Sequence, residues 1–366
     1  VSAPTLGDVA VTALIRDATA APSMHNAQPW SFHYSRDSRT VALHADLTRT
    51  MPLADPVDRG LHLGCGAALL NLRVAAAHAG LSPATTLLPE PPEVPPLLAT
   101  VRLGPGGHRG EPGGEDGGED GGEGVGEGDG GDGGEAGRRE DAADAPQPAL
   151  RDLHPAIHAR HTSRHPFADR PVPAGLRAAL GEAARREGAD LTFLTGPHLQ
   201  VVLDLTRDAE GYDHMDAARE EERRRWTRQA TTGEPSGGIP DAALGPAKSG
   251  GAGPARDFAA SEPVPGRVRA EFERRPQLAL LVTRGDHPAD WLRAGQALER
   301  VLLLATLNGL STSFATQALE WPDLRWLLRD PLSGAGHVQM VLRLGYGPDG
   351  SGAPRRPVEE VLSVGD

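Results

Sequence analysis

GAALLNLRVAAAHAGL, residues 66–81, and GQALERVLLLATLNGL, residues 295–310, are two copies of one helix, and their likeness decides the fold. In register, Gly66, Ala68, Leu69, Ala76, Gly80 and Leu81 stand opposite Gly295, Ala297, Leu298, Ala305, Gly309 and Leu310. A strand follows each copy, ending in RLGPG at residues 102–106 and in RLGYG at residues 343–347, so helix, strand and RLG turn recur together. A long unit that occurs only twice is no solenoid, whose short repeats must stack roughly three deep to bury a core. The pattern reads as a duplicated half: a homodimer fused into one chain, folded as an α+β sandwich that forms a pseudo-dimer.

The copies are joined by a segment of different composition. Residues 104–147 hold thirteen Asp and Glu against Arg109, Arg138 and Arg139, a net of −10 within a formal charge of −13. The remainder is therefore nearly neutral, and no basic surface for nucleic acid is expected. With Val125 as its one sizeable apolar residue, the segment cannot repay the entropy of ordering and reads as a disordered acidic linker over 104–150. A first half over 1–103 and a second over 151–366 follow. The lone Cys65 lies inside the apolar repeat and excludes an internal disulfide, which suits a reducing cytoplasm. No signal-peptide pattern opens the sequence, and the apolar run at 301–307 is short of the roughly 20 residues of a membrane span. A cytoplasmic protein without membrane partners is expected.

Helices are expected at 8–19, 57–79, 174–187 and, as one long charged element, 198–229; strands at 31–34 and 41–44 as a hairpin, then at 190–194, 277–283 and 338–344, the last clear one. Residues 231–256, rich in Gly and Pro but carrying Ile239, Ala242, Ala243 and Leu244, read either as a lid over a site or as a plain surface loop.

Three motifs carry chemistry. PSMHNAQPW (residues 22–30) is, taken alone, a polar loop whose amides and hydroxyls could simply turn the backbone. ARHTSRHPF (159–167) sets Arg160, Thr162, Ser163 and Arg164 within five residues, guanidinium forks and hydroxyls that suit a phosphate. PRRPVEEVL (354–362) places Arg355 and Arg356 side by side. Two further patterns are weaker. His154, His158, His161 and His165 have a metal-like spacing, but Pro155 and Pro166 interrupt any continuous helix and no metal site is expected. Gly64–Cys65–Gly66 lies within the repeated helix, not after a strand, and close helix packing explains it better than a dinucleotide fingerprint.

Together the three motifs resemble the nitroreductase superfamily of FMN-dependent oxidoreductases, and in particular its Acg-type branch, in which two nitroreductase-like halves are fused. The resemblance implies FMN as cofactor, with Arg160, His161, Thr162 and Arg164 at its phosphate and N1/O2 side. Ser23, Met24, Asn26 and Gln28 would lie along the ring and ribityl chain, Arg355 or Arg356 at the phosphate, and Thr316 and Gln317 near N5. It implies NAD(P)H as reductant and a small acceptor (nitroaromatic, quinone or activated alkene), with storage of FMN under a closed lid as the alternative. The first half carries LIRDAT (14–19) in place of the arginine motif, and the second carries AARREGAD (183–190) in place of the PSMHNAQPW loop. Only one composite site, and one FMN per chain, is therefore expected, in a molecule that can be a monomer.

Overall fold

The computed structural model describes residues 6–89, 96–106, 147–231, 237–259 and 264–366. Most of the acidic linker thus lies outside the described residues. The first half runs α1 (Asp8–Thr19), β1 (Trp30–Ser35), β2 (Thr40–Ala45), α2 (Arg59–His78), β3 (Leu81–Leu87) and β4 (Leu97–Pro105). The second opens with a short α3 (Ala156–Ala159) and continues with α4 (Ala174–Arg186), β5 (Asp190–Phe193), α5 (Gly196–Met215), α6 (Ala217–Thr231), β6 (Ala247–Gly250), β7 (Arg269–Glu271) and β8 (Leu278–Thr283). It closes with α7 (Pro288–Leu307), β9 (Ser311–Phe314), α8 (Pro322–Leu327), β10 (His337–Gly345), α9 (Val358–Val361) and β11 (Leu362–Gly365).

The two sheets repeat one order. The first reads β11-β1-β2-β4-β3 and the second β5-β8-β10-β9, so β1, β2, β4 and β3 have β5, β8, β10 and β9 as counterparts. A small pair, β6 with β7, stands apart. β1 alternates buried and half-buried residues, as a strand with one covered face must, and seats Trp30, Phe32 and Tyr34 in the first core. Each such side chain contributes about 1.5–3 kcal/mol on burial.

The repeated helices are the centre of the molecule. Fifteen of the 20 residues of α2 and fourteen of the 20 of α7 are buried, the burial of a core helix apolar on most sides. By length and composition α2 could cross a membrane, but here it is enclosed by protein. Both helices end on a left-handed glycine, Gly80 (φ 76°) and Gly309 (φ 69°), where a side chain would be strained. They cross at Gly66 and Gly295. A Cβ on Gly66 would strike the Leu292 carbonyl, and one on Gly295 would strike the Leu63 carbonyl. Leu63 and Leu292 are separated by the same offset as the two glycines, so the contact is reciprocal, as in a two-fold interface.

Several expectations are corrected. The charged helix expected over 198–229 is broken at Asp216 (φ −99°, ψ 99°), whose carboxylate accepts from the backbone N–H of Ala218 and Arg219 and so starts α6. β10 is not the last strand: β11 pairs in parallel with β1 (Phe32 opposite Leu362), carrying the end of the second half onto the sheet of the first. LIRDAT is the buried end of α1, with Leu14 and Ile15 in the core, and so is no counterpart of the arginine motif, which precedes α4.

Candidate functional site

PSMHNAQPW connects α1 to β1 through a strained path. His25 (φ 46°), Asn26 (φ 56°) and Gln28 (φ 53°) all take the left-handed conformation, which costs on the order of 1–3 kcal/mol for each residue. Long-range hydrogen bonds hold it. Ser23 Oγ accepts from the Gln28 N–H (2.8 Å). Asn26 Nδ2 donates to the carbonyls of Gly238 and Pro354 (2.9 Å each), and its Oδ1 accepts from Arg355 (2.9 Å). Gln28 Oε1 accepts from the Arg356 N–H at 2.8 Å. The loop of the first half is thereby fastened to the tail and to residues 237–259 of the second.

The arginine motif follows α3. Ser163 donates its N–H to the Thr312 carbonyl (2.8 Å) and its hydroxyl to that of Pro348 (2.7 Å), so its polar groups serve the fold. Arg160 is buried and gives one N–H to the Ala20 carbonyl (3.1 Å) in the first half. Arg355 donates to the same carbonyl at 3.0 Å. The two guanidiniums thus converge, and the Nε of each has no hydrogen-bond partner among the described residues.

Between these elements lies a cavity of about 1350 Å³, counting the part open to solvent, walled by both halves. Of the residues expected at the site, Ser23, Met24, Asn26, Arg160, His161, Thr162, Arg164, Thr316 and Arg355 line it. Three do not. Gln28 is fully buried and spends its amide on the tail; Gln317 donates to Glu210 (3.0 Å); Arg356 pairs with Asp46 (3.1 Å) and with backbone carbonyls of the loop. Asn26 reaches the cavity wall but is mainly a fastener.

Five lining residues or near neighbours lie outside the three motifs, and a sixth, His25, lies inside the PSMHNAQPW loop without having been singled out. Arg59 donates to the Gln339 carbonyl, Arg256 is clasped by Glu320 and Asp213, and Arg343 by Glu273. Phe258 offers its ring to Arg164 and Arg256 (5.3 Å each), and His25 stands edge-on to it, also at 5.3 Å. Glu299, fully buried on α7, lies 3.6 Å from Arg160. Arg343 was detectable as the RLG arginine of the second copy, whose counterpart Arg102 is exposed. The others required the fold.

The charge inventory is uneven. Arg256 and Arg343 are neutralised by carboxylates, but Arg160 and Arg355 share Glu299, and among the described residues Arg164 meets the Ala243 carbonyl (2.9 Å) and the Phe258 ring and no carboxylate. Burial, then the neighbouring Arg256, lowers Arg164 to about 10; burial, then Arg160, lowers Arg355 to about 10. Both remain cations at neutral pH, so three guanidiniums face one buried carboxylate. Burial, then Arg160 and Arg355, also lowers His161. A buried surplus of this kind is costly alone and favours an anion in the cavity. The histidine spacing is otherwise used: His154 and His158 both bond Asp17 (2.9 and 2.7 Å), and no metal-binding group occurs among the described residues.

No family model matches the chain. It is similar to a Mycobacterium tuberculosis (strain ATCC 25618 / H37Rv) protein named "Putative NAD(P)H nitroreductase acg", 28% identical over 374 residues, 97% of this chain and 95% of that one. The similarity runs over nearly the whole of both chains and agrees with the resemblance to the Acg-type nitroreductases read from the motifs. An uncharacterized protein of the same organism is 28% identical over 361 residues, covering 95% of this chain and 91% of its own. Among solved structures, that of nitroreductase NfnB from sphigopyxis sp. strain HMH, described as FMN and NADPH-dependent, covers 58% of this chain and 97% of its own at 21% identity and a TM-score of 0.38. The match to the Acg-type nitroreductase spans both halves, and the cavity of this chain draws its loop from one and its arginines from the other.

Proposed function

We propose that the chain is an FMN-dependent oxidoreductase that passes hydride from NAD(P)H to a small acceptor at one composite site. The observation that carries this reading is the convergence of Arg160, Arg164 and Arg355 on a cavity whose facing wall is the Ser23–Asn26 stretch. Arg160 and Arg355 meet over one backbone carbonyl and share the single carboxylate of Glu299, which lies 3.6 Å from Arg160 Nε, and this pair of cations suits a phosphate between them, with His161 and Thr162 beside it. Arg164, one loop further in, would face the N1/O2 edge of the ring, with Ser23 and Met24 along it. FMN, when bound there, supplies a two-electron carrier that the side chains lack.

The protein's part is binding, orientation and exclusion of water. The Asn26 and Gln28 bonds hold the strained loop in place, and Ile239, Ala243 and Phe258 cover the cavity. Arg164, fixed and half-buried, stabilises negative charge developing beside it more than a neutral ring. The acceptor classes consistent with such a site are nitroaromatics, quinones and activated alkenes.

One observation favours a second reading, storage of FMN with little turnover. Residues 237–259 are tied down by the Asn26–Gly238 bonds and by Arg164 on Ala243. Anaerobic addition of NADPH to the flavin-loaded protein separates the two: bleaching within seconds supports the oxidoreductase, and a flavin still yellow after minutes supports storage.

A further inference from the structure

His25 is a buried group in the cavity wall to which the proposed site assigns no role. Its side chain is 7% exposed, and neither Nδ1 nor Nε2 has a partner among the described residues. The backbone at φ 46° is strained to place it there. It also lines a second, smaller cavity behind the first, and the two share His25, Ala54, Arg256 and Glu320 as a common wall. Asp213, Glu220, Glu222, Arg219 and Arg223 surround that second space. On one side of the imidazole is the proposed acceptor site; on the other is a cluster of ionisable groups that reaches the surface at Glu220, whose side chain is 13% exposed.

We propose that His25 is a catalytic residue that delivers to the acceptor the proton accompanying hydride transfer, drawing it from the second cavity. The inference rests on the oxidoreductase reading above. Reduction of a quinone or nitro oxygen consumes the hydride and one proton: NAD(P)H, a quinone and H⁺ give NAD(P)⁺ and a hydroquinone. No other buried imidazole lines the cavity among the described residues, and the arginines hold their protons too tightly to give them up. The ring N–H breaks and its hydrogen bonds to the acceptor oxygen, while the other ring nitrogen uses its lone pair to take a proton that enters from bulk solvent through the second cavity, so that no hydroxide is left behind. The ring then holds one proton as before, in the other tautomer, and rotation restores it. This relay needs a neutral imidazole, donor at one nitrogen and acceptor at the other. Burial, then Arg256, Arg223 and Arg164, holds His25 well below the usual histidine value and so neutral at pH 7.

The test uses the flavin-loaded protein, reduced anaerobically with NADPH and mixed with either 2-methyl-1,4-naphthoquinone, which must gain protons, or ferricyanide, which takes electrons alone. His25→Phe should lower the quinone rate relative to the ferricyanide rate by roughly 100-fold, within the range of positioned acid–base catalysis. Added imidazole should recover part of the quinone rate in His25→Ala. Equal losses for both acceptors, or no loss, overturn the proposal. Spectra of ¹⁵N-histidine-labelled wild-type protein give a readout apart from turnover. The resonance that His25→Phe removes, or His25→Gln if the first variant does not fold, should be neutral from pH 6 to 8 and shift when the quinone is added. An unmoved resonance also overturns the proposal. Protein that binds no flavin, or is not bleached by NADPH, overturns the oxidoreductase reading together with the role of His25; bleached protein with an unchanged acceptor ratio overturns His25 alone.

Discussion

Alanine at Gly66 or Gly295 should loosen the pseudo-dimer at its crossing, and the two substitutions should not add. A Cβ on Gly295 would stand 2.9 Å from Gly66 Cα, and one on Gly66 would stand 3.0 Å from Gly295 Cα; each is nearer still to a carbonyl of the opposing helix. Ordinary contact begins near 3.4 Å and the nearest carbonyl oxygens would stand at 2.4 and 2.2 Å, so α2 and α7 must part by about 1 Å. The obstacles are backbone and cannot rotate away. Overpacking of a core costs about 1–3 kcal/mol, against which alanine gains about 1 kcal/mol over glycine in a helix. The net loss is about 0–2 kcal/mol, or up to roughly 8 °C in Tm at the 2–4 °C per kcal/mol of larger domains. Once the helices have separated, the second alanine meets a gap already opened, and the double variant should lose less than the sum by at least about 0.5 kcal/mol. Gly211 on α5, with nothing within 4 Å of an added Cβ, is the control: Gly211→Ala should stabilise. Thermal melts of the wild type, three single variants and the double variant decide it. Stabilisation by alanine at the crossing, or strict additivity, would refute the reciprocal contact.

Further outcomes follow from the site. Arg355→Ala should weaken FMN binding by roughly 10–100-fold, the worth of a charge-assisted bond of about 1.5–3 kcal/mol, while riboflavin, lacking the phosphate, binds with little change; equal losses in isothermal titrations of both would remove the phosphate role. Arg164→Ala should lower the reduction potential of bound flavin, read by dye equilibration, and an unchanged potential contradicts its place at the ring. Burial raises the Glu299 carboxyl above its usual value, so the folded chain holds that proton more tightly than the unfolded one. Its contribution to stability is full below the ordinary glutamate pKa and is lost as pH rises through the folded value. Glu299→Gln should therefore flatten the decline of Tm on the neutral side, and superimposable pH profiles for the two proteins would contradict this.

Much of this was legible in the sequence because the repeat is strong and the motifs are local. The offset between Gly66 and Gly295 required two helices in equivalent places, and the sheets repeat their strand order accordingly. Motif residues next to the cavity could be named from the resemblance that the three local motifs carry, but which of two neighbours faces it could not. Arg355 points inward and Arg356 turns to Asp46; Ser23 lines the wall while Gln28, five residues on, is spent on the tail. Such choices depend on backbone twist over one or two residues. The break at Asp216 was hidden because both flanks are helical and charged, and β11 because four residues gain strand character only by pairing with β1. Glu299 and Arg256 reach the site through tertiary packing, which no local pattern encodes, and His25, though inside the PSMHNAQPW loop, shows its buried and unpartnered ring only in the fold.

The central claim is that two unlike remnants assemble a single flavin site, and it is tested most directly by counting. Protein saturated with FMN, freed of excess, and heated to release the cofactor should yield flavin and chain at a ratio near one. A ratio near two, or no retained flavin, would contradict the account.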